Sequence, residues 1–122
     1  MAARVARSCS PIPVAADESA ESPADLDRLA GLYDVINMKL DKSGGLTEAL
    51  SMARAVQQRG LDGMIGNMIG TSLAMAPAFL VGQLCQVIDL DGPMLLRDDR
   101  PQTVRYADGY ISSPEGLWGY PK

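Results

Sequence analysis

The sequence predicts an α/β fold: parallel strands joined by helices in about four βα steps, followed by a hairpin tail. Three observations predict it. Apolar strand-like runs beginning at residues 12, 33, 61 and 86 alternate with helical patterns. The runs are apolar on both faces, as parallel strands covered by helices are. Polar residues gather at the C-terminal ends of the runs, namely Asp17, Lys39, Asn67, Asp89 and Asp91. In α/β barrels and open α/β sheets that is the end where sites form.

Each element has a local signal. "IPVAADES" (12–19) is a short strand that ends in acid. Ser22-Pro23-Ala24-Asp25 is a helix start, with a Ser cap, Pro at the first helical position and an acid in the first turn. Leu26, Leu29 and Ala30 give that helix its apolar stripe, and Gly31 closes it. "YDVINMKL" (33–40) is the second strand. In "LTEALSMARAVQQRG" (46–60), Leu46, Ala49, Leu50, Ala53 and Val56 keep the spacing of an amphipathic helix, with Gly60 at its stop. "LDGMIGNM" (61–68) is the third strand. "TSLAMAPAFLVGQL" (71–84) is an apolar helix, broken or kinked near Pro77. "QVIDLDGP" (86–93) is the fourth strand. Beyond Pro93 the helical period is lost. "TVRYADGYIS" alternates around Asp108-Gly109, a hairpin turn pair, and Trp118 with the tyrosines is the expected apolar anchor of the tail.

The expected organisation is residues 1–10 as a remnant of a preceding helix or a disordered start, 11–93 as a partial barrel domain, and 94–122 as a tail with a hairpin. A full eight-stranded barrel takes about 250 residues, so four βα steps are half of one. An open sheet, a half that pairs with another half, and a fragment all fit that length.

Composition excludes several function classes. The net charge is −4, the aromatic content is 5%, and no basic run exists, which argues against a nucleic-acid surface. Cys9 and Cys85 lack metal or disulfide-scaffold spacing, and a reducing, cytoplasmic compartment fits them. There is no histidine, which removes Ser-His-Asp, Cys-His and His-metal mechanisms together. "MAARVARSCSPIP" has no apolar core for a secretory signal; it shares only its Arg and Ser content with a transit peptide. Residues 63–88 carry no charge and are long enough to span a membrane. They also contain Asn67, Thr71, Ser72, Gln83, Gln86 and Pro77, and their flanks are acidic, so a buried strand and helix explain them better and no membrane partner is expected.

Strand parity selects the candidate site residues, because side chains alternate faces. In the second strand Val35, Asn37 and Lys39 share one face, and Ile36, Met38 and Leu40 the other. The fully apolar face belongs under the helices, which leaves Lys39 inward at the mouth. Partial desolvation there disfavours its charged form, lowers its pKa and makes it usable for proton transfer. A lysine snorkelling to solvent from a strand end fits the same parity. Asp89 and Asp91 are two apart on the last strand; a metal or a substrate ammonium would relieve their repulsion, and an acidic end to the Gly92-Pro93 turn is the plainer alternative. Asp17 is the inward candidate of the first strand, where one carboxylate contributes to a Mg²⁺ site but cannot make one; a turn carboxylate is the plainer reading. Gly70-Thr71-Ser72 and Gly44-Gly45 precede helices, where free N–H groups hold carboxylates and also serve as ordinary caps; neither completes a nucleotide-binding pattern.

Taken in order, "PVAADES", "YDVINMKLDKSGGLTEAL", "GLDGMIGNMIGTSLAMAPA" and "VIDLDGP" resemble the C-terminal barrel half of the enolase superfamily. Within it they are most similar to the muconate-lactonising-enzyme subgroup and its dipeptide epimerases of the L-Ala-D/L-Glu type; the "DLDGP" ending favours the epimerases. The resemblance implies Asp17 as the third of three Mg²⁺ carboxylates, Lys39 as an acid/base lysine, and Asp89 and Asp91 as holders of a dipeptide's α-ammonium. It also implies a substrate pocket lined around Asn67, Met68 and Ile69. The implied chemistry is removal of the proton α to a carboxylate and its return on the other face. The Lys-x-Lys strand of the opposing base, the first two metal carboxylates and the capping domain have no counterpart in these 122 residues. The expectation is therefore a fragment of a dipeptide epimerase, inactive alone. The alternatives are a non-catalytic half-barrel that self-associates through its strand edges, or another activity of the superfamily (N-acylamino acid racemase, cycloisomerase).

Overall fold

The computed structural model describes residues 10–113 and 116. Its sheet holds β1 (Ala15–Ala16), β2 (Val35–Lys39), β3 (Asp62–Gly66) and β4 (Val87–Ile88) in that spatial order, every pair parallel. The helices are α1 (Leu26–Leu29), α2 (Leu40–Ser43), α3 (Leu46–Gln58) and α4 (Ser72–Gly82), and an antiparallel hairpin of β5 (Arg105–Ala107) and β6 (Tyr110–Ser112) follows. This is the α/β half-barrel architecture with a hairpin that the sequence predicts.

The register sets the two faces of the sheet. Asn37 pairs with Met64, Met38 with Ile65 and Lys39 with Gly66. Ile36, Met38 and Ile65 are fully buried in one cluster with Leu26 and Leu29 of α1, Met52 and Val56 of α3, and Val81 of α4. The predicted parity therefore holds: the helices cover the Ile36/Met38 face, and Lys39 stands on the other. Burying a large aliphatic side chain contributes about 1.5–3 kcal/mol, so this helix-covered face is where the fold gains most.

Several elements differ from expectation, each for a visible reason. The first helix is a 3-10 turn, Pro23–Asp25, followed by the single turn of α1. Its cap is as predicted: Asp25 Oδ2 accepts from the Ser22 N–H and hydroxyl, both at 3.0 Å. In α3 the buried stripe is Ala49, Met52, Ala53 and Val56, while Leu46 and Leu50 pack only at its margin. Met52 was outside the predicted stripe. Gly44 and Gly45, at φ of 85° and 96°, turn the chain from α2 into α3 through backbone that favours glycine. The helix α4 is not broken at Pro77 but runs through it. The fourth strand is only two residues, although the Gln86 and Asp89 N–H groups still bond β3 at Gly63 O and Ile65 O, both at 2.9 Å. A 3-10 turn, Gly92–Leu95, takes over where strand was expected.

The hairpin forms at the predicted pair, with Asp108 and Gly109 both at positive φ (52° and 78°), as a tight hairpin turn requires. Of its expected anchors, Tyr106 packs inward and Tyr110 does not. Tyr110 is exposed; Val104 is buried against Ala76, with Phe79, Tyr106 and Ile111 packed around them. Trp118 and residues 1–9 lie outside the described residues. Among the described residues, no helix is long and apolar enough to cross a membrane.

Candidate active site

The C-terminal ends of β1 and β2 bring Asp17 and Lys39 into direct contact. Lys39 Nζ donates to Asp17 Oδ2 at 2.9 Å and lies 3.8 Å from Glu18 Oε1. Lys42 donates to the other carboxylate oxygen, Oδ1, at 2.7 Å and to the Asp17 carbonyl at 2.6 Å. The two lysine side chains are only 13% and 10% exposed, against 42% for Asp17, so the cluster faces solvent through the acid.

This geometry reverses the expected pKa of Lys39. The hydrogen bond to Asp17 outweighs desolvation, and the charges of Asp17, Glu18 and Asp89 add to it, so the ammonium is held above its ordinary value. Desolvation dominates only when a buried lysine lacks a partner. For Asp17, burial works against the charge, but the bonds from Lys42 and Lys39 prevail and hold the carboxyl below its ordinary value. Lys42 was missed by strand parity. Its signal was helical: it lies three residues after Lys39, and the one-turn α2 places it over the same acid.

Asp89 reaches this cluster through its charge. Asp91 is placed differently: it stands at the N-cap position of the Gly92–Leu95 turn, where its backbone carbonyl accepts from the Met94 N–H at 2.8 Å, and its charge acts on Tyr106. The expected single face for the two acids is therefore modified: the strand ends at Ile88, the Asp89 N–H still bonds β3, and Asp91 lies beyond that ladder. Both are exposed. Asn67, Met68 and Ile69 line a cavity of about 210 Å³ with Leu40, Asp41 and Gly70, over a floor that includes Met75 and Ala78. Asn67 donates from Nδ2 to Met68 O at 2.7 Å, within its own turn.

At the N-terminus of α4 the Ser72 N–H is already taken by a carboxylate of this chain. Asp99 of the tail accepts from the Ser72 N–H at 3.0 Å and from the Ser72 hydroxyl, and Val104 N–H donates to that same hydroxyl oxygen at 2.9 Å. The cap is thus supplied from 27 residues away, which no local signal reveals. Ser72 bonding holds the Asp99 carboxyl low against the opposing effect of burial.

The model of the enolase C-terminal domain-like family matches residues 1–118. The chain belongs to that family. It is 51% identical over 111 residues to the N-acetyl-D-glutamate racemase of Pseudoalteromonas sp, covering 90% of this chain and 35% of that protein. It is 39% identical over 101 residues to the L-Ala-D/L-Glu epimerase of Escherichia coli (strain K12), covering 83% of this chain and 32% of that protein. Among solved structures it matches an enolase family member from Agrobacterium tumefaciens with homology to dipeptide epimerases, solved with bound sodium and L-Ala-L-Glu, at a TM-score of 0.87 and 47% identity. That match covers 94% of this chain and 36% of the other. The family chain thus spans about a third of the length of the relatives it matches.

As for a metal, no three His, Cys, Asp or Glu side chains among the described residues are grouped to hold one. Asp17 offers one carboxylate whose two oxygens already accept from lysines. These residues do not by themselves fit Mg²⁺, which takes near-octahedral oxygen coordination.

Proposed function

We propose that this chain supplies one acid/base lysine and the α-nitrogen end of the site of a racemase or epimerase acting on amino-acid derivatives, dipeptides such as L-Ala-L-Glu first among them. The observation that carries the reading is the Lys39–Asp17 contact at the strand ends, with Asp89 within electrostatic reach. Membership of a family whose named relatives are racemases and epimerases supports it.

In this reading Lys39 exchanges the proton at the substrate α-carbon. Bonded to Asp17 it is an ammonium, and so it is set as the acid that delivers a proton to the carbanionic carbon. To act in the other direction it first gives up the Asp17 bond, because only the neutral amine accepts a proton. Lys42 stays on Asp17 through two contacts, so the acid remains anchored when Lys39 moves. The opposing base comes from outside these 122 residues, as do the further oxygen donors that would make Asp17 part of a Mg²⁺ site; no step is routed through that ion. Asp89 and Asp91 take a free α-ammonium, and Asn67, Met68 and Ile69 contact the substrate beside Lys39.

The two relatives differ in what acylates the glutamyl α-nitrogen, an acetyl group for the N-acetyl-D-glutamate racemase and an alanyl group for the L-Ala-D/L-Glu epimerase. The test is proton exchange in D₂O with L-Ala-L-Glu and with N-acetyl-L-glutamate, with and without Mg²⁺, on the complete protein. Deuterium at the glutamyl α-carbon of one epimer that is lost in Lys39→Ala supports the reading. Interconversion of the L-Ala-L-Glu and L-Ala-D-Glu epimers that survives Lys39→Ala sinks it, because inversion needs both bases whereas the opposing base alone still exchanges the proton of one epimer.

The exposed edge strand β4, with Val87 43% and Ile88 45% exposed, supports a second reading, self-association through that edge. Sedimentation of the protein across concentration decides it; a monomer throughout refutes it.

A further inference from the structure

The segment Asp89-Leu90-Asp91-Gly92 is pinned by its backbone at three points while its carboxylates stay exposed. The Asp89 N–H donates to Ile65 O at 2.9 Å. Leu90 is fully buried, and its carbonyl accepts from Tyr106 Oη at 2.6 Å. Gly92 lies so near the turn after β3 that a Cβ there would clash with Asn67 Nδ2 and come within 2.7 Å of Met68 O. The donor to Leu90 comes from the hairpin, which is itself tethered through Val104 and Asp99 to Ser72 at the start of α4. Burial, then the charges of Asp91 and Asp99, push the Tyr106 hydroxyl up to about 12, so it stays a donor at neutral pH.

We propose that Tyr106 is a positioning residue for recognition of a substrate ammonium: its bond to the Leu90 carbonyl fixes the two flanking carboxylates, Asp89 and Asp91, in one arrangement at the mouth. This rests on the reading above in which those acids take a free α-ammonium. The physical reason is preorganisation. Carboxylates on a segment already fixed lose little freedom on binding, whereas the same pair on a loosened segment must be ordered by the ligand. Tyr106 touches no substrate and acts through the backbone between the acids.

The decisive variant is Tyr106→Phe, which keeps the ring and deletes only the hydroxyl. Calorimetry on the complete protein measures binding of L-Ala-L-Glu, which has the ammonium, and of N-acetyl-L-glutamate, which lacks it. Loss of one fixing hydrogen bond is expected to weaken the dipeptide about tenfold and to leave the acetylated ligand within about twofold. Hydrogen exchange at the Asp89 amide rises while the β2 amides are unchanged. Asp99→Asn loosens the hairpin's other tether and keeps the hydroxyl; it is expected to weaken the dipeptide in the same direction and by no more than Tyr106→Phe does. The proposal is overturned if both ligands weaken equally, if neither does, or if the wild type does not bind the dipeptide. Proton exchange is scored separately: a wild type that binds the dipeptide without exchanging its α-proton refutes the epimerase reading and leaves the Tyr106 comparison decisive.

Discussion

Replacing Asp17 with Asn tests the centre of the site. The acid is the shared acceptor of two lysines, at 2.9 and 2.7 Å, whose side chains are 13% and 10% exposed. At an effective dielectric of about 20, two unit charges 4 Å apart interact by about 4 kcal/mol, but desolvation offsets much of any such gain. Removing one partner of a buried pair costs about 3–5 kcal/mol and of an exposed pair about 0–1. With Asp17 42% exposed and its lysines nearly buried, Asp17→Asn is expected to fall between, at about 1–3 kcal/mol. The loss is read as a lower urea midpoint at pH 7 with an unchanged slope. A second reading of the same variant is the Lys39 pKa, followed by NMR of its side chain. Asp17 is the leading cause of the raised value and burial opposes it, so the pKa falls. An unchanged midpoint together with an unchanged Lys39 titration would show that the carboxylate does not hold this lysine, and the argument for the site would go with it.

The pH dependence of stability follows from the same pair. Asp17 lies below its ordinary 3.8, so its contribution is full above that value and lost as pH falls through the lower folded one; Lys39 lies above its ordinary 10.5, so its contribution is full below that value and lost as pH rises through the higher folded one. The difference in urea midpoint between wild type and Asp17→Asn should therefore hold across neutral pH and shrink at both extremes. Ser72→Ala removes the hydroxyl that Val104 N–H donates to and that bonds Asp99; the cost is about 1–3 kcal/mol, with faster amide exchange in the hairpin than in β2. Gly66→Ala places a Cβ 2.7 Å from the buried Asn37 Oδ1 and costs about 1–3 kcal/mol by denaturation. Adding Asn37→Ala should recover part of that loss; strict additivity of the two changes would refute the clash.

Strand parity was enough to put Ile36 and Met38 under the helices and Lys39 on the opposite face, because alternation is a property of the local backbone. The Asp108-Gly109 turn and the Ser22/Asp25 cap were legible for the same reason. Parity failed at Asp91, which lies past the end of the strand and leads into a 3-10 turn, and the expected stripe of α3 left out Met52 although it stands three residues after Ala49 and four before Val56, on the buried face.

The sequence by itself determined the order of the elements, the parallel sheet they imply and the carboxylates and lysine at its strand ends, since periodicity, caps and turns are short-range properties. Only the tertiary structure decided the charge environment of Lys39, which depends on an acid 22 residues earlier and reverses the shift expected from burial alone. It alone joined Lys42 to that acid, Asp99 to the start of α4, and Tyr106 to the Leu90 carbonyl. Each of these contacts links segments far apart in the chain, so no window of sequence contains both partners in recognisable form.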